Sequence, residues 1–193
     1  MGEGMAEIYD CVIALRKLLN VEYECTVARK GSVVTIRLGF EKRHFYHLMG
    51  LQYIRDVRQL DAKSAVVFDN LCRRRIPEER VAASAQYPRI SARVHFLRRL
   101  EEILDDNRTV FKYNTRQSAF SLISMDFLLK NTLEGRNVFV FLAKNPDGTY
   151  FCRSFFPQEV RDYSVGQTVW TLLRKKKLVK STGAETILYS KGM

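Results

Sequence analysis

The chain predicts an α+β fold: an antiparallel β-sheet with an N-terminal helix and a central helical segment. Three observations lead there. Strict two-residue alternation marks a hairpin over residues 22–38. A helical apolar rhythm runs through residues 5–19 and through much of 61–105. After residue 108 the pattern returns to short strands broken by turn residues. Helices and strands are therefore segregated, which distinguishes α+β from α/β. No repeat, low-complexity tract or long linker divides the sequence, so residues 1–193 read as a single domain.

The elements follow in order. Ile8, Val12, Leu15 and Leu19 share one helical face, Arg16 and Lys17 face out, and Asn20 can end the helix. Tyr23, Cys25 and Val27 then point one way, with Glu22, Glu24 and Thr26 opposite. The turn Arg29-Lys30-Gly31-Ser32 leads into Val34, Ile36 and Leu38, which alternate with Val33, Thr35 and Arg37. In the central segment, Asp61 is placed to cap a helix carrying Val66, Val67, Asn70 and Leu71. Pro77 breaks that pattern and can start a short helix with Glu78 and Glu79 in its first turn. Pro88 separates a last helix, whose stripe of Ile90, Val94, Leu97, Leu100 and Leu104 opposes Arg93, Arg98, Arg99, Glu101 and Glu102.

Residues 109–113 read as a short strand. Residues 120–129 fit strand or helix: Ile123, Met125, Phe127 and Leu129 alternate, yet Met, Leu and Lys tolerate helix. Residues 138–142 form a continuous apolar run, as expected of a central strand. Asn145-Pro146-Asp147-Gly148 is a turn, and residues 150–156 return as the hairpin partner. Residues 169–173 and 185–189 make a last pair, joined by a basic, glycine-containing connection.

Composition narrows the function. Apolar residues make up 46% of the chain, enough for a real core, and the formal net charge is +11. Such an excess of cations favours polyanions. The four cysteines, Cys11, Cys25, Cys72 and Cys152, are scattered with no CxxC, so neither a zinc site nor a disulfide framework is expected. They read as small apolar fillers in a reducing compartment. The N-terminus lacks the apolar stretch of a signal peptide, and no segment reaches the roughly 18 apolar residues a membrane span needs. The expectation is a soluble, cytoplasmic protein. P-loop, GxGxxG, HExxH, EF-hand and kinase signatures are missing, which argues against nucleotide-triphosphate hydrolysis, hydride transfer and zinc proteolysis. No cofactor is expected.

The most informative segment is Phe40-Glu41-Lys42-Arg43-His44-Phe45-Tyr46-His47-Leu48-Met49-Gly50, directly after the hairpin. Histidine trades protons near neutral pH, and neighbouring cations suit a phosphate substrate. His47, next to a glycine that permits chain reversal, is the first candidate for general base or acid. If 41–48 is helical, His44 shares its face three positions away. His95 reads as a surface or packing residue. Arg153 lies in a strand whose alternation groups it with Phe151 and Phe155, while Ser154 groups with Cys152 and Phe156. A guanidinium among aromatics can bind phosphate or stack on a base. Ser154 has no GxSxG setting, so a hydrolase-type serine nucleophile is not expected. Lys42, Arg43, and the run Arg174-Lys175-Lys176-Lys177 can contact phosphates, as can Arg73-Arg74-Arg75. Tyr113, Tyr163 and Tyr189 can stack on bases.

The phrase Phe45-Tyr46-His47-Leu48-Met49-Gly50 after a hairpin resembles the phage-associated Barnase–EndoU–colicin–RelE-like nucleases, most closely their fourth named group. Residues 123–129, Arg153-Ser154-Phe155-Phe156, a Tyr163-containing turn and a strand ending near Tyr189 are compatible with it. The resemblance implies an antiparallel α+β fold, a phage or mobile-element setting, and metal-independent endoribonuclease activity by 2′-hydroxyl attack on the adjacent phosphate. Carried onto this sequence, it points to His47, with Arg153 and Ser154 handling phosphate; the second acid–base group is His44, a lysine or a tyrosine. RNA is then the partner and the host cytoplasm the setting, with a neutralising protein as a further partner class. The alternative reading is a non-catalytic phage-encoded protein that binds nucleic acid or inhibits a host protein.

Overall fold

The computed structural model describes residues 7–114 and 125–192. The first helix is α1 (Glu7–Leu18), with Ile8, Cys11, Val12, Ala14, Leu15 and Leu18 buried. Glu7 and Asp10 lie in its first turn and Arg16 and Lys17 in its last, each complementing the helix dipole. The predicted start at residue 5 lies outside the described residues. The hairpin forms as β1 (Val21–Arg29) and β2 (Ser32–Gly39), paired antiparallel from Glu22↔Gly39 to Arg29↔Ser32. Tyr23, Cys25, Val27, Ile36 and Leu38 face the core, as the alternation required.

Next come α2 (His44–Met49), α3 (Ser64–Cys72), α4 (Glu78–Ala82), α5 (Ser91–Leu97) and α6 (Leu100–Asp106). Glu78 and Glu79 occupy the first turn of α4 after Pro77. Asp61 does not cap α3; Lys63 holds that position without a side-chain bond, and Asp61 ends a preceding 3₁₀ turn. The last predicted helix is two, divided at Arg98–Arg99, yet its stripe is continuous: Ile90, Val94, Leu97, Leu100 and Leu104 are all buried.

The remaining strands are β3 (Thr109–Lys112), β4 (Phe127–Leu133), β5 (Arg136–Lys144), β6 (Tyr150–Pro157), β7 (Thr168–Val179) and β8 (Ala184–Ser190). The ambiguous stretch resolves into strand over residues 127–129; residues 120–124 lie outside the described set. Two central strands, β4 and β5, explain the apolar run. Phe127, Leu129, Val138, Val140 and Leu142 join the main core with the helices, while Leu128, Phe139 and Phe141 join a second cluster with Phe111, Tyr113 and Met125. A strand buried on both faces cannot alternate with polar residues.

The expected antiparallel sheet is corrected in two ways. Strand order is β1-β2-β6-β5-β4-β3-β7-β8, and β1 also pairs with β7, so seven strands close into a barrel with β8 outside it. One of its seams is parallel and short: β2 meets β6 only at Leu38↔Tyr150 and Gly39↔Phe151. The basic stretch after residue 173 is not a connection. It continues β7, which pairs with β1, β3 and β8, and the turn to β8 comes only at residues 180–183.

Candidate functional site

The short β2–β6 seam sets the location. Among the described residues no strand pairs with the β2-facing edge of β6 beyond Phe151, and α2, which follows β2 almost immediately, packs beside β6 together with α5. The chain enters α2 through Lys42 and Arg43. It leaves through Gly50, whose φ of 83° is left-handed and whose N–H donates to the carbonyls of Tyr46 and His47. An αL residue at this position satisfies last-turn carbonyls that would otherwise be orphaned.

The two histidines of α2 stand in different surroundings. His44 is buried at 6% exposure and stacks on Phe151 with centroids 4.9 Å apart. Its Nδ1 accepts the Glu41 N–H at 3.1 Å, and its Nε2 has no hydrogen-bond partner among the described residues, the Glu41 carboxylate standing 4.0 Å away. Burial pulls its pKa down to about 4, with Arg43 and His47 pushing the same way against Glu41. His47 is exposed on the other side. Partial desolvation and then the positive charge of Arg153 hold its pKa below the ordinary histidine value. At neutral pH both rings are thus mostly unprotonated; His47 is open to solvent, whereas the nearly buried His44 lines a separate cleft of about 400 Å³ with Glu41, Arg43, Asp147 and Tyr150.

Arg153 owes its position to a β-bulge. Phe141 pairs with Ser154 and Leu142 with Cys152, so Arg153 has no residue opposite it on β5. A bulge re-aims the side chains around it. The predicted alternation fails here: Cys152 and Phe155 both enter the main core, whereas Ser154 turns to the opposite face beside Phe156. Arg153 itself is exposed, and its positive charge reaches His47.

Ser154 lines a cleft of about 620 Å³, together with Tyr53, Arg89, Arg93, Phe156, Glu159, Arg161 and Tyr163. Three arginines face one glutamate in that lining. Arg89 and Arg93 flank the Tyr53 ring at 4.9 and 5.5 Å, and Arg161 stands 5.4 Å from the Tyr163 ring. Arg93 also lies 5.2 Å from Phe156, and its Nη1 is buried with no hydrogen-bond partner among the described residues. Burial lowers its pKa, while Tyr53 and Glu159 favour its charge.

Sequence reasoning missed most of this cleft. Arg93 read as the solvated face of a helix, and Arg89 and Tyr53 lay in turns without periodicity. Tyr163 was noticed only as a stacking residue.

The remaining predicted residues are dispersed. Lys42 pairs with Asp69 at 2.8 Å and Arg43 with Glu41 at 2.9 Å, both at the surface. Arg174 is exposed on β7. Lys176 is paired with Glu24 at 3.4 Å and Glu185 at 3.0 Å. Lys175 is corrected outright as a phosphate contact. It is 2% exposed, and its Nζ donates to the main-chain carbonyls of Leu104, Asp105 and Asn107. Strand alternation turned it inward. His95 bridges Glu7 at 3.3 Å and Glu134 at 2.9 Å, a tether between α1 and the β4–β5 turn. The buried cysteines Cys11, Cys25 and Cys152 have thiol pKa values raised by burial. Among the described residues no three His, Cys, Asp or Glu side chains converge as a metal site, and no helix is long and apolar enough to cross a membrane.

A protein-family model described as "phage-Barnase-EndoU-ColicinE5/D-RelE like nuclease4" matches residues 7–192. Neither the curated proteins nor the solved structures contain a match to this chain.

Proposed function

Because the chain belongs to the phage Barnase–EndoU–colicin E5/D–RelE-like nuclease 4 family, we propose that it is a metal-independent endoribonuclease acting at the β6 edge. The observation that carries this reading is the meeting of exposed, unprotonated His47 with the bulge-presented Arg153. His47 takes the proton of a ribose 2′-hydroxyl. That oxygen attacks the adjacent phosphorus, and the bond to the 5′-oxygen breaks. The leaving oxygen takes up a proton, giving a 2′,3′-cyclic phosphate and a 5′-hydroxyl. Arg153 faces the charge that grows on the phosphate. His44 has no part in proton transfer, since its ring is buried and uncharged near neutral pH. Lys42, Arg43 and Arg174 supply the wider field that draws a polyanion in. The setting is the cytoplasm of a phage host.

The test is incubation with RNA in excess EDTA. The expected products are fragments ending in cyclic phosphate, and His47→Ala should slow their formation about 10²–10⁴-fold. An Ala variant that cuts as fast as the parent removes His47 from the chemistry. Loss of cleavage on chelation removes the metal-independent mechanism. The cleft arginines equally favour a protein that binds nucleic acid without cutting it; tight, salt-sensitive binding to RNA that stays intact is the result that selects that second reading.

A further inference from the structure

The arginine-walled cleft carries chemistry that the His47–Arg153 pair does not use. We propose that it is a subsite for one unpaired nucleotide of a single-stranded RNA, with a phosphate against Arg93 and a base against the aromatic wall of Phe156 and Tyr163. That the ligand is RNA rests on the endoribonuclease reading; the anion and ring selectivity rest on the cleft alone.

Three features lead there. First, the buried Arg93 Nη1 has no partner among the described residues. A buried guanidinium donor left unpaired is costly, and an anionic oxygen is its natural complement. Among the described residues the one carboxylate of the lining, Glu159, is exposed and favours the Arg93 charge without a hydrogen bond to Nη1, and Tyr53 offers a neutral phenol. Second, the rim adds Arg89 and Arg161, both exposed, so the lining bears three positive charges against one negative. Third, the wall is aromatic. Phe156 and Tyr163 lie 4.9 Å apart, with Phe141 5.5 Å from Tyr163. A base paired in a duplex has both faces covered by its neighbours, so only a splayed base can reach such a wall. The cleft volume of about 620 Å³ accommodates a nucleotide.

Gly50 makes the arrangement possible from behind. A Cβ there would lie 3.2 Å from Arg93 Cδ and 3.0 Å from Ile90 Cγ2. The C-terminus of the His47 helix thus packs directly behind the cleft.

The experiment measures binding of a short 2′-fluoro RNA, which lacks the attacking hydroxyl, by fluorescence anisotropy in EDTA at fixed salt. The parent should prefer the single strand over the same sequence as duplex. Arg93→Met should weaken single-strand binding about tenfold or more. Because Arg93 is partly buried, the exposed pair Arg89→Ala/Arg161→Ala is tested alongside and should also weaken it. Equal affinity for single strand and duplex, no measurable binding by the parent, or unchanged affinity in the two arginine variants overturns the subsite. Failure of the cleavage reading shows separately, as RNA left intact by a protein that still binds this probe through Arg93.

Discussion

Lys175→Met tests whether the basic run on β7 is structural or RNA-facing. The lysine is 2% exposed and its Nζ reaches three main-chain carbonyls at the end of α6. Two opposing quantities decide the outcome. Desolvation pulls the Lys175 pKa from 10.5 to about 8; keeping the charge inside the fold at neutral pH therefore costs about 3 kcal/mol. Methionine relieves that cost and fills similar volume. It also removes a donor from three carbonyls. Arg108 Nη1 still donates to those of Asp105 and Asn107 at 2.9 and 3.1 Å, so Leu104's alone loses its side-chain donor, at about 1–3 kcal/mol. The two quantities are of similar size, and the variant should lie within roughly 2 kcal/mol of the parent at pH 7.

The pH dependence gives the sharper check. Between pH 8 and 10.5 the folded parent binds fewer protons at Lys175 than the unfolded chain does. Its stability through this group therefore rises with pH across that window. Burial raises the pKa values of Tyr23, Cys11, Cys25 and Cys152, and these groups push the opposite way at alkaline pH. They are present in both proteins and largely cancel in the difference. Relative to the parent, Lys175→Met should accordingly lose up to about 3 kcal/mol from pH 8 to 10.5 in urea unfolding. A difference between the two proteins that stays flat over that window refutes the buried-lysine account.

The other predictions concern the β6 edge. Arg153→Gln should raise the His47 pKa, because a positive neighbour is removed, but leave it below 6.5, because burial is the larger influence; an NMR titration of His47 that does not move would separate the two residues. Since a general base works only when unprotonated, the acid limb of the cleavage rate should have its midpoint below pH 6.5 in the parent and shift upward in Arg153→Gln. Gly50→Ala forces a φ of 83° on a residue with a Cβ and crowds Ile90 and Arg93. It should cost about 1–3 kcal/mol and lower the melting temperature; an unchanged transition would show that the α2 terminus tolerates a side chain.

Local pattern made much of the fold legible. The hairpin β1–β2 alternates over its whole length because one face meets solvent. The α5–α6 stripe survives the break at Arg98–Arg99 because its apolar positions all reach one core. What escaped the sequence was non-local. Barrel closure depends on β1 meeting β7 across some 150 residues of chain, and no residue within either strand announces a second neighbour. The bulge at Arg153 reverses the facing of Ser154 relative to Cys152, and it exists because β5 and β6 differ by one residue in the register each must keep. Lys175 looked solvated because its neighbours are Arg174 and Lys176; alternation along a strand sends successive residues to opposite faces whatever their charge.

The histidine segment shows how a correct motif can carry an incorrect geometry. Residues three apart on an α-helix lie about 60° from one another around the axis, since each residue turns about 100°. On a long helix with a broad exposed face, that separation leaves both side chains in solvent. Here α2 has six residues and is wedged against β6, α3 and α5. Its exposed arc is narrow, and 60° is enough to press His44 onto Phe151 while His47 emerges beside Arg153. On the proposed reading, the arrangement at this edge is therefore one imidazole with one guanidinium, not two imidazoles in complementary protonation states. The narrowness of that arc follows from the two-residue β2–β6 seam, since among the described residues the β6 edge beyond it is covered by α2 and α5 rather than by another strand.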